Sequence, residues 1–323
     1  MKIAIFTSGG DAPGMNACIR AIVQAGAYHN LEVIGIRRGY QGMIENEFVA
    51  LDSIAISGII HRGGTILGSA RSAEFMTAAG RKKAYENLIQ QDISHIVAIG
   101  GDGTFKGASI FMSEYPDIAI VGVPGTIDND LYGTDFTLRY DTAIKTAMEA
   151  IDKIQDTADA HNRLFFVEVM GRDAGFIALR TGIATAAKAI LVPEIQTDLE
   201  ELILALNEHH KQKKHACIVV VSEGDDAGNA FEIVQQVKGK IPYDDIRVTV
   251  LGHIQRGGNP TCMDRVLASR MGIAAVEALA AGASAVMMAQ KHRNIDYVPF
   301  EKAIKHHQRL SPSLVDLMNI LTH

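Results

Sequence analysis

Residues 95–108 read HIVAIGGDGTFKGA. A short run rich in Ile and Val ends at paired glycines, and a helix-compatible stretch begins at once. Strand, glycine turn and helix in that order form one half of a parallel β-α-β unit. The same order recurs where KIAIFTS meets SGGDAPGMN, where IAIVGVP meets GTIDND, and where LFFVEV meets MGRDAG. Further strands are predicted at EVIGIRR, AILVP, CIVVVSE, RVTVLGHI and AVMMAQ. All are apolar on successive residues, as parallel strands covered on both faces are. MNACIRAIVQAGAY, RYDTAIKTAMEAIDKIQDTA, LEELILALNEHHKQKK and DRVLASRMGIAAVEALAAG supply helices between them. The predicted fold is α/β: two similar doubly wound domains with mainly parallel sheets.

Two domains suit the length, 323 residues. A net charge of -6 argues against nucleic acid as a main partner, while leaving room for local basic pockets. Cys18, Cys217 and Cys262 are odd in number and lack metal-type spacing, which fits a reducing, cytoplasmic setting. The apolar start KIAIF is too short for a signal segment. The stretch from Ala274 to Ala289 is broken by Glu277 and Gly282, so no membrane span is expected.

Glycines gather where strands end, and ligands in open α/β sheets bind outside the carboxyl ends of strands. In GGDGT, Gly100, Gly101 and Gly103 would let backbone approach a phosphate at a helix start. Asp102 there fits phosphate only through a cation such as Mg²⁺, which takes one or two carboxylates and completes its shell with phosphate oxygens. The alternative is a turn whose Asp caps the helix. SGGDAPGMN offers Gly9 and Gly10 to an anion and Pro13 as a helix start, or is a plain βα turn. Neither loop is a GxxxxGK[ST] or GxGxxG motif.

GTIDND puts Asp128 and Asp130 two residues apart with no base inside the hexapeptide. Either the pair is solvated, or a cation lies near and one carboxylate serves as general base toward an alcohol. Arg71 in LGSAR and Arg172 in MGRDAG could supply the cations that phosphoryl transfer needs. Arg247, His253 and Arg256 around VTVLGHIQRGG could hold a substrate phosphate, though strand-end residues of this kind are often only surface. His209–His210 and His306–His307 carry no metal spacing and are expected on solvated helix faces.

TSGGDAPGMN, RGGTILGSAR, GGDGT, PGTIDND, VEVMGR and LGHIQRGG, in this order, closely resemble the bacterial ATP-dependent 6-phosphofructokinases. The resemblance implies an ATP-binding domain at 1–138 plus 252–305 and a fructose 6-phosphate-binding domain at 139–251 plus 306–323. It also implies a homotetramer that moves the γ-phosphate of ATP to the sugar's 1-hydroxyl. Gly10, Arg71, Ser72, Gly101, Asp102, Gly103 and Thr104 would hold ATP, with Asp102 on Mg²⁺. Asp128 would be the base, with Thr126, Ile127, Asp130, Met170, Gly171 and Arg172 arranging the reacting groups. Arg163, Glu223, Arg247, His253, Ile254, Gln255 and Arg256 would bind the sugar phosphate, Arg163 and Arg247 reaching in from a neighbouring subunit.

Gly103 and Gly125 stand where pyrophosphate-dependent members of that family carry bulkier residues, which favours ATP over pyrophosphate. A non-catalytic nucleotide-sensing subunit is the rival from another class, and retention of Asp102 and Asp128 speaks against it. Arg20, Lys211 and Lys213 match the family's effector site. Gln24, Ser53, Gln155 and Lys188 depart from it, so activation by ADP is expected to be weak or absent.

Overall fold

Strands buried on both faces need a helical layer on each side, and the chain builds two such sandwiches. The computed structural model describes residues 2–11, 13–159, 163–212, 217–304 and 308–322. The chain divides into a first unit, Met1–Thr142 with Arg256–Gln308, and a second, Ala143–Gln255 with Arg309–His323. The first unit opens with β1 (Lys2–Thr7), α1 (Met15–Tyr28), β2 (Glu32–Ile36), α2 (Gly39–Ile44) and β3 (Phe48–Ala50). It continues with α3 (Ala78–Gln90), β4 (His95–Gly100), α4 (Asp102–Glu114) and β5 (Ala119–Pro124). Helix α5 (Tyr140–Asp159) starts there and continues in the second unit, followed by β6 (Leu164–Val169), α6 (Phe176–Ala184), β7 (Ala189–Leu191) and α7 (Leu199–Lys211). After β8 (Cys217–Ser222), α8 (Ala230–Val237) and β9 (Ile246–Val250), the first unit resumes with α9 (Cys262–Ala280), β10 (Val286–Lys291), β11 (Asn294–Pro299) and α10 (Phe300–Ala303). Helix α11 (Pro312–Thr322) belongs to the second unit.

The first sheet runs β11-β10-β5-β4-β1-β2-β3. Its five inner strands are parallel, whereas β3 and β11 pair antiparallel at the edges. Alternate residues serve opposite faces. Ile3, Ile5, Val97, Ile99, Val121 and Val123 join α1 and α9 in one core, while Ala4, Phe6, Ile96, Ala98 and Ile120 join Phe105, Phe111 and Leu88 in the other. Each buried aliphatic or aromatic side chain is worth about 1.5–3 kcal/mol, so neither face can be left wet. Because β2 lies on one side of β1 and β4 on the other, the order reverses between β1 and β4. That is the switch point at which such sheets bind ligands.

The second unit holds a wholly parallel sheet, β7-β8-β6-β9. Residues of α7 and α8, among them Leu202, Leu206 and Ile233, cover one face through Leu164, Phe166, Val219 and Val221. Helix α6 packs against β7 and β8, and α11 packs on α6. His209 corrects an expectation: it is 8% exposed, and its Nδ1 lies 3.0 Å from the Tyr243 hydroxyl. The helix α7 turns that position inward although the sequence there is polar. His306–His307 lie outside the described residues. Cys18 and Cys217 are buried and Cys262 is exposed, all three as free thiols. Among the described residues no helix is long and apolar enough to cross a membrane.

Candidate active site

Parallel pairing brings the ends of β1, β4 and β5 together. The amide of Ser8 donates to Ile99 O at 3.0 Å, and that of Gly125 donates to Gly100 O at 2.8 Å. The loops that follow are therefore neighbours. A Cβ on Gly100 would lie 2.3 Å from Thr104 Oγ1 and 2.9 Å from Ser8 O, so a side chain there would drive the loops apart.

The loop after β1 does not start its helix at Pro13. Gly14 takes a left-handed φ of 100° and α1 begins at Met15 without a side-chain cap. This φ is one that glycine adopts freely and other residues rarely do. Gly10 makes room for a cation: a Cβ there would sit 2.5 Å from Arg256 Nη2. Arg256 Nε is buried without a hydrogen-bond partner among the described residues.

At the end of β4, Gly101 is the residue before α4 and makes no side-chain cap, while Asp102 is the first helical residue. The capping-Asp reading is thereby set aside. The Asp102 side chain is 37% exposed and its Oδ2 lies 2.6 Å from Lys106 Nζ. A Cβ on Gly103 would meet nothing within 4 Å, so that space is open. A Cβ on Gly101 would approach Thr126 to 3.7 Å, which sets this turn beside the GTIDND loop.

That loop is not a solvated turn. Asp128 is 5% exposed, and its amide donates to Thr126 Oγ1 at 3.2 Å. Asn129, at a positive φ of 53°, works as an internal clamp. Its Oδ1 accepts from the Thr137 amide at 2.8 Å and its Nδ2 donates to Asp135 O at 3.2 Å. Thr137 Oγ1 donates to Thr126 O at 2.7 Å, and the Leu138 amide donates to Pro124 O at 2.9 Å. The Ile127 side chain is core, 1% exposed, so only its backbone can face a ligand. Asp130 is half-buried, and its carbonyl accepts from the Gln308 amide. Ser72 Oγ donates to Gln41 Oε1 at 2.6 Å and accepts from the Phe75 amide, while Arg71 is exposed.

Sequence reasoning missed the groups that hold these loops. Arg139 is 2% exposed; its Nη1 donates to Gly10 O at 2.6 Å and Gly125 O at 2.9 Å, and its Nη2 donates to Asp11 O at 3.1 Å. Burial, then the neighbouring Arg256, pull its pKa down to about 10, against the opposing pull of Asp128, Asp11 and Asp264. Asp264, 1% exposed, accepts from the amides of Arg139 and Thr142, both at 2.9 Å, and from the Thr142 hydroxyl. Burial pushes its pKa up to about 6, and these hydrogen bonds work against that rise. T-x-x-D at Thr261–Asp264 is a helix-start signature, and Thr261 does cap α9. Nothing local marks Arg139.

Within the second unit, Glu223 Oε1 accepts from the amides of Gly171 at 3.3 Å and Arg172 at 2.8 Å. Gly171 is indispensable there, since a Cβ would meet Ala174 O at 2.3 Å. Gln255, fully buried, accepts from the Met170 amide at 2.9 Å, and its Nε2 has no partner among the described residues. Arg163 and Arg247 are brought together by an unforeseen residue, Asp245, at 2.6 Å from each Nε. Hydrogen bonding to Arg247 and then Arg163 holds the Asp245 carboxyl below the usual range. His253 and Ile254 are exposed. Of the effector-type positions, Gln155 Nε2 donates to Thr185 O at 2.6 Å and Lys188 Nζ to Thr322 O at 2.5 Å. Arg20 is half-buried, Gln24, Ser53 and Lys211 are exposed, and Lys213 lies outside the described residues.

A glycine-lined turn at a helix start beside a sheet's switch point, with an acidic first helical residue and a buried carboxylate on the loop of the next strand, marks the class of α/β proteins that handle phosphate groups. The chain belongs to the phosphofructokinase family, whose model, "Phosphofructokinase", matches residues 2–308. It is 52% identical over 316 residues, covering 98% of this chain and 96% of the relative, to the "ATP-dependent 6-phosphofructokinase" of Cytophaga hutchinsonii. It is 52% identical over 320 residues, 99% of both chains, to "ATP-dependent 6-phosphofructokinase 1" of Thermus thermophilus. Among solved structures it resembles Pichia pastoris phosphofructokinase in the T-state with a TM-score of 0.88 at 36% identity, covering 94% of this chain. The chain spans 35% of that protein's length. The pyrophosphate-dependent phosphofructokinase of Marinobacter aquaeolei shares the fold, at 23% identity and a TM-score of 0.82 over all of this chain and 92% of that one.

Proposed function

We propose that this chain is an ATP-dependent 6-phosphofructokinase, transferring the γ-phosphate of ATP to the 1-hydroxyl of fructose 6-phosphate. The observation that carries this reading is the adjacency of the open Gly101–Gly103 turn to the clamped, buried Asp128. Phosphoryl transfer asks a protein for positioning, a base and positive charge more than for covalent chemistry. Asp128 is the base that takes the hydroxyl proton, and Thr126 and Asp130 arrange the reacting groups around it. Arg71 and Arg172 counter charge on the moving phosphoryl group. Gly10, Ser72, Gly101, Gly103 and Thr104 receive the nucleotide, which assigns ATP to the first unit. Met170, Gly171, Glu223, His253, Ile254, Gln255 and Arg256 face the sugar phosphate. Arg163 and Arg247 complete its site across the contacts of a homotetramer.

Asp102 is the carboxylate that would hold Mg²⁺: it is partly exposed beside glycine backbone, and its Oδ2 also lies 2.6 Å from Lys106 Nζ. A metal held by one carboxylate needs phosphate oxygens and water for the rest of its shell. When bound, Mg²⁺ supplies positive charge to the donor's phosphate oxygens. The enzyme would act in the cytoplasm.

The open space at Gly103 favours ATP over pyrophosphate as donor. Gln155 and Lys188 are committed to main-chain carbonyls of their own unit, which supports weak or absent activation by ADP. A coupled assay with fructose 6-phosphate and Mg²⁺, supplied with ATP or pyrophosphate and with or without ADP, tests these points. Turnover with ATP alone, unmoved by ADP, is expected. Turnover with pyrophosphate only would overturn the donor assignment, and none with either would favour a nucleotide-sensing subunit. A sigmoid fructose 6-phosphate curve made hyperbolic by ADP would overturn the regulatory point.

A further inference from the structure

Arg139 buries a full positive charge, and the three hydrogen bonds its guanidinium makes among the described residues all end on neutral carbonyl oxygens. It does so from a backbone φ of 90°, which residues with a side chain rarely adopt. Strain of this kind persists only where the surroundings over-determine it, and it gathers at functional sites. Here the surroundings are explicit. Asp264 Oδ1 takes the Arg139 amide at 2.9 Å, and the parallel bridge between Gly125 and Leu138 holds the preceding residue. The three carbonyls belong to two different loops. Gly10 and Asp11 follow β1, whereas Gly125 follows β5, and β4 lies between those strands. The guanidinium therefore reaches across one whole strand to join them.

We propose that Arg139 is a positioning residue for phosphoryl transfer: it sets the separation between the glycine loop after β1 and the loop after β5 that carries Asp128. The proposal rests on the kinase reading above. A planar, always-charged fork suits the task, because its donors reach acceptors on both loops from one rigid group. A lysine at the same place would offer a point charge and could not hold both loops in one geometry.

Arg139→Gly tests this without backbone penalty, since glycine adopts a positive φ freely, and Arg139→Lys keeps the charge but not the fork. The measurements are kcat and KM for both substrates, with and without added guanidinium ion, and amide hydrogen exchange over 8–14 and 125–130. A misplacement of about 1 Å costs roughly 100-fold in rate, so Arg139→Gly is expected to lose about 10- to 100-fold in kcat. KM for fructose 6-phosphate should stay within about threefold, because a positioning defect falls on the transition state. Guanidinium should restore part of kcat, Arg139→Lys should fall between, and exchange should quicken in the two loops while β1 and β5 stay protected. A kcat within about threefold of wild type, or exchange quickening across the whole unit with kcat and KM impaired alike, would overturn the proposal. If Arg139→Gly fails to fold, Arg139→Lys with unchanged loop exchange and kcat would overturn it equally. A wild-type chain that does not turn over ATP and fructose 6-phosphate overturns the kinase reading and the role in transfer with it; the exchange data then still decide whether the two loops are tied.

Discussion

Gly103→Asp separates the room at the donor loop from the stability of the fold. Gly103 is the second residue of α4, its φ is not in the left-handed region, and an added Cβ meets nothing within 4 Å. A steric penalty is therefore absent. A carboxylate in the first helical turn interacts favourably with the helix dipole, by about 0.3–1 kcal/mol. The melting temperature should hold or rise slightly. The same carboxylate would face the phosphates of ATP. Two like charges about 5 Å apart at an effective dielectric of about 20 repel by about 3 kcal/mol, or about 100-fold in affinity. The KM for ATP should rise by about that factor, and Gly103→Ala, which adds volume without charge, should change it far less. Thermal melting and initial rates against ATP read both quantities on one preparation. A stable Gly103→Asp variant with its KM for ATP within about fivefold of wild type would refute the placement of the donor phosphates at this turn. A variant that melts early would refute the claim of open space.

Asp128→Asn keeps the shape of a 5% exposed residue on a clamped loop, so kcat should fall by roughly 10²–10⁴, the worth of a general base, with melting unchanged; a loss of less than about tenfold would place the base elsewhere. Asp245→Asn removes the shared partner of Arg163 and Arg247. Exposed ion pairs are worth about 0.2–1 kcal/mol, so KM for fructose 6-phosphate should rise up to about fivefold at constant kcat, and an unmoved KM would argue against those arginines as substrate ligands. Asp264 titrates at about 6 when folded against 3.8 ordinarily. Its folded pKa is raised, so its stabilising share is present below pH 3.8 and lost as pH rises through about 6. That share is about 3 kcal/mol at about 1.4 kcal/mol per pKa unit. Denaturant unfolding from pH 4 to pH 8 should show a decline in wild type that flattens in Asp264→Asn; parallel profiles would mean that Asp264 does not titrate in that range.

The sequence by itself determined the architecture, because strand burial on both faces is written directly into composition. Nine apolar runs became parallel strands, largely covered in the inner strands and half-exposed at the edge strand β9, and α1 spans the residues of its predicted helix, Met15–Tyr28. Glycine placement likewise marked the ends of β1, β4 and β5, and at Gly10 and Gly100 close approach leaves no room for a Cβ. The two antiparallel edges were not legible: β3 is three residues long, and β11, NIDYVP, alternates polar and apolar as half-exposed strands do.

Tertiary structure alone decided which ordinary-looking polar residues bear charge inside the protein. Asp128 and Asp130 read equally well as a solvated pair, and only the clamp of Asn129 and Thr137 shows Asp128 to be buried. Arg139 and Asp245 had no local signature, and T-x-x-D marked Asp264 only as part of a helix start, for a physical reason. The partners of Arg139 and Asp264 lie far along the chain, as Gly10 does from Arg139, and Asp245 joins Arg247, two residues on, to the distant Arg163. A buried cation is stabilised by acceptors that converge in space, and no window of sequence contains that convergence.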